Sequence, residues 1–252
     1  MKRSFVRVLW GEFLEEDELC RDDLEKKYNI KYDPENKILI RRVKINLDIQ
    51  QYLEKEFKIP FVTYVFGKKN HQRLIEMGLK SVLIYDEPYK YNPIRGLYQH
   101  KLDAHQYMME DFDEIVFLDW DTYLTKPLPD NFWDVLNKKE VFQASLSRYR
   151  TPRIKHRKNV ASNKAIPTGA FVYMRDKSIP KRLIELNSKA PNKWSCEPSF
   201  ALLTDEITGG WQNSKKYFEL FEPEFYTAKR SPYKFANGLK KENVCFKNGF
   251  DV

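Results

Sequence analysis

The sequence predicts an α/β protein: a single domain with a mostly parallel central sheet flanked by helices. Three observations predict it. Short apolar, β-branched runs alternate with longer amphipathic ones through the first half of the chain, the pattern of β-α repeats. The chain has 252 residues, of which 42% are hydrophobic and 15% aromatic, enough for one large core. No internal repeat, low-complexity tract or linker composition divides it.

The elements follow in order. Phe5-Val6-Arg7-Val8-Leu9-Trp10 reads as the first strand, and Leu14 to Tyr28, acidic and amphipathic, as a helix. Lys37 to Val43 reads as a second strand, with Asp48 capping a helix through Phe57. Phe61 to Phe66 is a third strand stopped by Gly67. Asn70 to Met77 is a helix stopped by Gly78. Ser81 to Tyr85 is a fourth strand, Leu97 to Glu110 a helix, and Glu114-Ile115-Val116-Phe117-Leu118 a buried strand. After Pro129 the pattern loosens. It gives a short helix from Asn131 to Leu136, a strand from Val141 to Leu146 and another from Thr168 to Met174. Helices follow from Ser178 to Asn187, with Pro180 in the first turn, and from Ser199 to Glu206. The tail from 222 to 252, rich in aromatics, Pro and Lys, is expected to wrap the body.

Composition excludes several classes. Cys20, Cys196 and Cys245 are odd in number, widely spaced and without a C-x-x-C pair, so neither a zinc site nor a disulfide framework is indicated. Reduced thiols suit a cytoplasmic protein. The basic start, Met1-Lys2-Arg3, has no apolar stretch behind it, and no run approaches the ~18 apolar residues of a membrane span. The expectation is a soluble protein of bacterial or viral-host cytosol.

The net charge of +8 is concentrated. No acid lies between Glu140 and Asp176. That window holds Arg148, Arg150, Arg153, Lys155, Arg157, Lys158, Lys164 and Arg175, which leaves 36 basic residues against 36 acidic ones elsewhere. Such a block is either a solvated loop or an anion-binding surface for a diphosphate, an acidic acceptor or a nucleic-acid backbone.

Asp119-Trp120-Asp121 carries the chemistry. Two carboxylates follow directly on the buried strand, at the end where ligands bind in an open α/β sheet. Acids one residue apart repel and lose hydration on burial. They either cap the following turn or hold a hard cation such as Mg²⁺ or Mn²⁺ on a diphosphate.

This segment resembles the DxD motif of GT-A-fold (Rossmann-like), nucleotide-sugar-dependent glycosyltransferases. Two further stretches are similar to that superfamily. Gly96-Leu97-Tyr98-Gln99-His100-Lys101-Leu102-Asp103-Ala104 looks like its lysine-bearing helix before the DxD strand. Ile166-Pro167-Thr168-Gly169-Ala170-Phe171-Val172-Tyr173-Met174 looks like the strand whose start faces the donor sugar, with Thr168 as the polar residue before the glycine. The resemblance spans about residues 5 to 206. It implies a transferase taking a hexose or pentose from a nucleotide donor, most often a UDP-sugar. It further implies Asp121 as the direct metal ligand, and Asp119 on ribose or sugar hydroxyls or on the metal through water. Many relatives complete the metal shell with a C-terminal His. Here the histidines are His71, His100, His105 and His156, so Asp251, water or phosphate oxygens take that place.

Other positions are read from the residues together with the likeness. Trp10 and Gly11, at the end of the first strand, either serve the nucleotide or turn the chain. Arg95 and Lys101 are candidate diphosphate or base contacts. Glu197, in Trp194-Ser195-Cys196-Glu197-Pro198, is the candidate base for an inverting reaction, or else a helix cap. The acceptor is a glycan or other polar polymer. The alternative is DNA with hydroxylated bases, for which Arg148, Arg150, Arg153, Lys155, Arg157 and Lys158, interleaved with Tyr149 and His156, provide phosphate contacts. A reading from another class is a non-catalytic nucleotide- or nucleic-acid-binding protein. A nucleotidyltransferase is disfavoured, because Trp10-Gly11-Glu12 lacks a Gly-rich basic phosphate loop.

Overall fold

In a computed structural model of the protein, the residues described are 1–10, 12–14, 37–87, 99–119, 122–123, 132–137, 142–147, 166–188, 197–209, 226–227 and 246–248. The core is a six-stranded sheet. Its strands are β1 (Arg3–Leu9), β4 (Phe61–Phe66), β5 (Ser81–Tyr85), β6 (Glu114–Leu118), β8 (Phe142–Ser147) and β9 (Ile166–Met174), in the order β5-β4-β1-β6-β9-β8. β5, β4, β1 and β6 are parallel neighbours, and β9 runs antiparallel to both β6 and β8. Five strands therefore share one direction, which bears out the mostly parallel sheet. Winding proceeds outward from β1 to β4 and β5, then returns across the sheet to β6. The order reverses between β1 and β6, and in open α/β sheets ligands bind at the carboxyl ends of the strands beside such a point.

Strand alternation builds two core faces. Val6, Val8 and Trp10 of the β1 run, with Ile115 and Phe117 of β6, pack under α3 (Gln99–Asp111), α5 (Ser178–Ser188) and α6 (Glu197–Thr208). Phe5, Val116 and Leu118 point the other way, under α1 (Ile40–Phe57) and α4 (Phe132–Asn137). Leu9 and Val65 pack there against Val43 of α1 and Leu74 of α2 (Lys68–Glu76). Phe5 is stacked on Phe132 at 6.0 Å and meets Trp133 edge-on at 5.3 Å, so α4 is pinned to the start of β1. Arg7 also lies on this face, fully buried, its guanidinium 4.0 Å over the Phe61 ring.

The strand expected at 37–43 needs correction. Only Lys37–Leu39 is extended, as β3, parallel to β2 (Glu12–Leu14), and the helix starts at Ile40. Val43, Asn46, Ile49, Gln50 and Leu53 are buried, a spacing of three to four that continues one helical face back through Val43. Asp48 accordingly lies inside the helix, on its exposed side, and is not its cap. The helix expected at 14–28 falls outside the described residues apart from Leu14, which is in β2. Other bounds shift by a residue or two, and Gly78 (φ 91°) ends its helix as expected. α6 begins at Glu197, two residues early, with Pro198 in its first turn, where a missing N–H costs nothing.

From the C-terminal region, β10 (Tyr226–Thr227) and β11 (Phe246–Asn248) form a small sheet with β7 (Thr122–Tyr123), and Asn248 pairs with Thr122. Among the described residues, no helix is long and apolar enough to cross a membrane.

Candidate functional site

The carboxyl ends of β1 and β6 meet the N-terminal turn of α3. Because α3 immediately precedes β6 and runs back against it, its first turn lies over the edge where β6 ends. Asp119 is the first residue past β6. Alternation after Ile115 and Phe117 directs it to the α3 side, and Lys101 is there. The ammonium donates to Asp119 Oδ2 at 2.6 Å, with side-chain exposures of 6% for the lysine and 14% for the aspartate. A lysine on a helix is ordinarily solvated; this one is part of a largely desolvated ion pair, which is strong only with good geometry and further hydrogen bonds.

Trp10 forms the wall on the β1 side. Its ring lies 3.5 Å from that of His100, at 38°, and the Lys101 ammonium is 5.7 Å from its centroid. Trp10 is 6% exposed. The structure thus puts the indole in the core with His100 against it; a nucleobase stacking on that flank would have to displace the imidazole.

Two histidines lie beneath the pair. His100 and His105 are 3% and 1% exposed. Burial, then the positive charge of Lys101, then His105 hold the His100 imidazole well below its ordinary pKa. Burial and Lys101 together push His105 down to about 3. Both rings are therefore neutral at physiological pH. His105 meets Phe117 edge-on at 4.5 Å and Phe200 at 6.3 Å, and neither ring nitrogen has a hydrogen-bond partner among the described residues. The spacing of these histidines in the sequence makes no metal motif.

α6 is anchored to the same neighbourhood. Phe200 reaches His105, one turn from Lys101, and the Ser199 hydroxyl donates to Asn187 Oδ1 at the end of α5, 3.1 Å away. Glu197 is the first residue of α6, one turn before Phe200. The backbone of Thr168 and Gly169 lies in β9, beyond Phe171, which pairs with Leu118, and so at the same sheet edge. Gly11, Arg95, Asp121, Arg148, Arg150, Arg153, Lys155, Arg157 and Lys158 lie outside the described residues.

The fit to a divalent cation can be judged on donor chemistry. Asp119 offers hard carboxylate oxygen at the right edge, but Oδ2 already accepts from an ammonium at 2.6 Å. A second cation bound directly to that oxygen would be repelled. Among the described residues, no three His, Cys, Asp or Glu side chains gather as a metal shell.

The observed architecture has a parallel core in the order β5-β4-β1-β6, an antiparallel strand beside β6, and an acid at the end of β6 facing the preceding helix. No protein-family model and no curated protein sequence matches the chain. Among solved structures, the chain is similar to mouse xyloside xylosyltransferase 1 in its apo form, with TM-score 0.45 and 9% identity over 90% of this chain and 88% of that one. It is similar to a glycosyltransferase involved in the glycosylation of the major capsid of PBCV-1, at 0.42 and 10%, covering 90% and 84%. It is also similar to a Bacillus anthracis protein assigned as a glucose-1-phosphate thymidylyltransferase, at 0.44 and 12%, covering 86% and 85%. These likenesses concern chain architecture and reach no further.

Proposed function

We propose that the chain is a metal-dependent glycosyltransferase that moves a sugar from a nucleotide diphosphate donor, a UDP-sugar, to a hydroxyl acceptor. The observation that carries this reading is the Lys101–Asp119 pair beside the switch point between β1 and β6. Motif and lysine helix, 18 residues apart in sequence, converge on one desolvated pair at the edge where such sheets bind ligands.

In this reading the donor lies across the carboxyl ends of β1 and β6. Asp121 holds Mn²⁺ or Mg²⁺, with Asp251 as a candidate further ligand. The cation, when bound, supplies electrostatic stabilisation of the charge that builds on the leaving diphosphate. Lys101 fixes the direction of the Asp119 carboxylate, so that Asp119 can accept from ribose or sugar hydroxyls. Thr168 and Gly169 border the sugar, and the glycine allows close backbone approach. Gly11 and Arg95 line the nucleotide side, with the buried Trp10 behind them. If the reaction inverts configuration, Glu197 takes the proton of the attacking hydroxyl.

Release of UDP from UDP-sugars in the presence of Mn²⁺ tests the reading. Wild-type protein should release UDP from at least one UDP-sugar, and Asp121→Ala should abolish the metal-dependent part. Full activity in that variant would remove the metal role, and no turnover of any sugar nucleotide would remove the enzymatic one.

A further inference from the structure

α3 runs back against β6, and the contacts between them repeat in step. From His105 back to Lys101 is about one helical turn, a rise of roughly 6 Å. From Phe117 on to Asp119 is two strand residues on one face, a rise of about 6.6 Å. The two steps match, so the pairs form successive rungs between helix and strand. At the sheet edge the Lys101 ammonium donates to Asp119 Oδ2 at 2.6 Å. One turn further in, the His105 ring meets Phe117 edge-to-face, 4.5 Å between centroids and 88° between planes. The inner rung therefore sets the separation and tilt at which the outer one forms.

A third element closes on the same ring. Phe200 of α6 lies 6.3 Å from His105, at 71°. Glu197, the first residue of α6, comes three residues before Phe200 and so belongs to the adjoining turn. The Ser199 hydroxyl fastens that turn to Asn187 Oδ1. His105 is 1% exposed, and Phe117 and Phe200 are fully buried. Neither imidazole nitrogen has a hydrogen-bond partner among the described residues, so the ring acts here through its shape and its edge-to-face contacts. Interiors are close-packed, and exchanging a flat ring for a branched chain makes its neighbours shift. Such a shift matters at the outer rung, because a desolvated ion pair is favourable only with good geometry.

We propose that His105 is a positioning residue of the site: its ring spaces α3, β6 and α6, and thereby aims the Lys101–Asp119 pair and places the turn that carries Glu197. Buried as it is, the imidazole acts only through these neighbours. The consequence for transfer rests on the glycosyltransferase reading above; the consequence for the ion pair does not.

The coupling between Lys101 and Asp119 tests the proposal. Urea denaturation of Lys101→Met, Asp119→Asn and the double variant gives it in the wild-type chain, and again in His105→Leu and His105→Phe backgrounds. Leucine keeps the core filled without a ring, so that the chain folds, and phenylalanine restores a ring. The coupling should fall to about half or less in the leucine background and stay near its wild-type size in the phenylalanine one. Leu183→Ala, a truncation in the same core cluster, should lower stability and leave the coupling unchanged. UDP release is the second readout: kcat/KM should fall about tenfold in His105→Leu, and His105→Phe should recover most of that loss. Undiminished coupling in the leucine background, an equal fall in the phenylalanine background, or the same fall in Leu183→Ala overturns the proposal. UDP release left unchanged by His105→Leu overturns it as well. If the wild-type chain turns over no sugar nucleotide, the glycosyltransferase reading fails, while the coupling still decides the role of His105.

Discussion

At the scale of single residues, the account turns on Lys101 and Asp119. Removing the lysine leaves a carboxylate that is only 14% exposed without its ammonium. Lys101→Met should therefore destabilise the protein by about 3 kcal/mol, the low end for breaking a buried pair. Adding Asp119→Asn should recover part of that loss. Urea denaturation of both single variants and the double variant measures the coupling; additive losses would mean that the pair contributes nothing jointly. The sequence pointed to each residue separately, one by its place after a strand and one by its helix. It held no local signal that they pair, because their meeting depends on how α3 folds back over β6. Trp10 was legible as the end of a strand and as a candidate stacking platform. Its burial follows from the Val6, Val8, Trp10 alternation, which sends it under α3. His105 gives a second prediction. Its folded pKa is about 3 and its unfolded value about 6.5. Between those values the unfolded chain binds a proton that the folded one does not. Stability contributed by the neutral ring is complete above the unfolded pKa and is lost as pH falls, at about 1.4 kcal/mol per pH unit. His100 adds a loss of the same sign. His105→Phe should flatten the decline in urea stability below about pH 6.5 by roughly one proton's worth; an unchanged slope would show that the ring titrates normally in the fold.

At the scale of elements, the sheet and its helices were legible wherever one period dominated. β1, β4, β5 and β6 are short continuous apolar runs, and their bounds shift only by a residue or two. Residues 37–43 misled because three extended residues run straight into a helix, and Ile38, Ile40 and Val43 satisfy both periods over so short a window. Burial at Val43, Asn46, Ile49 and Leu53 decides in favour of the helix. The direction of β9 was not legible either, since an apolar run gives no sign of parallel or antiparallel pairing. The tail was expected only to wrap the body. In the fold, Asn248 of β11 pairs with Thr122, three residues past Asp119. Asp251→Ala should weaken Mn²⁺ affinity in the presence of UDP by about tenfold, a loss of about 1.4 kcal/mol. Titration calorimetry showing wild-type affinity would exclude Asp251 as a ligand.

At the scale of the whole molecule, a doubly wound sheet brings three separate stretches to one edge: the end of β1, the start of α3 with the end of β6, and the junction of β8 with β9. Fold class was readable from the β-α alternation. The convergence was not, because it needs strand order, and strand order is set by which apolar faces pack together. The central claim is that the acids after β6 hold a divalent cation for a sugar nucleotide. Anomalous diffraction from a crystal soaked with Mn²⁺ and UDP tests it most directly. The account predicts a manganese peak bridging the diphosphate and the Asp121 carboxylate, with Lys101 still on Asp119 or handed over to a phosphate. A nucleotide bound elsewhere, or no manganese beside residues 119 and 121, would contradict it.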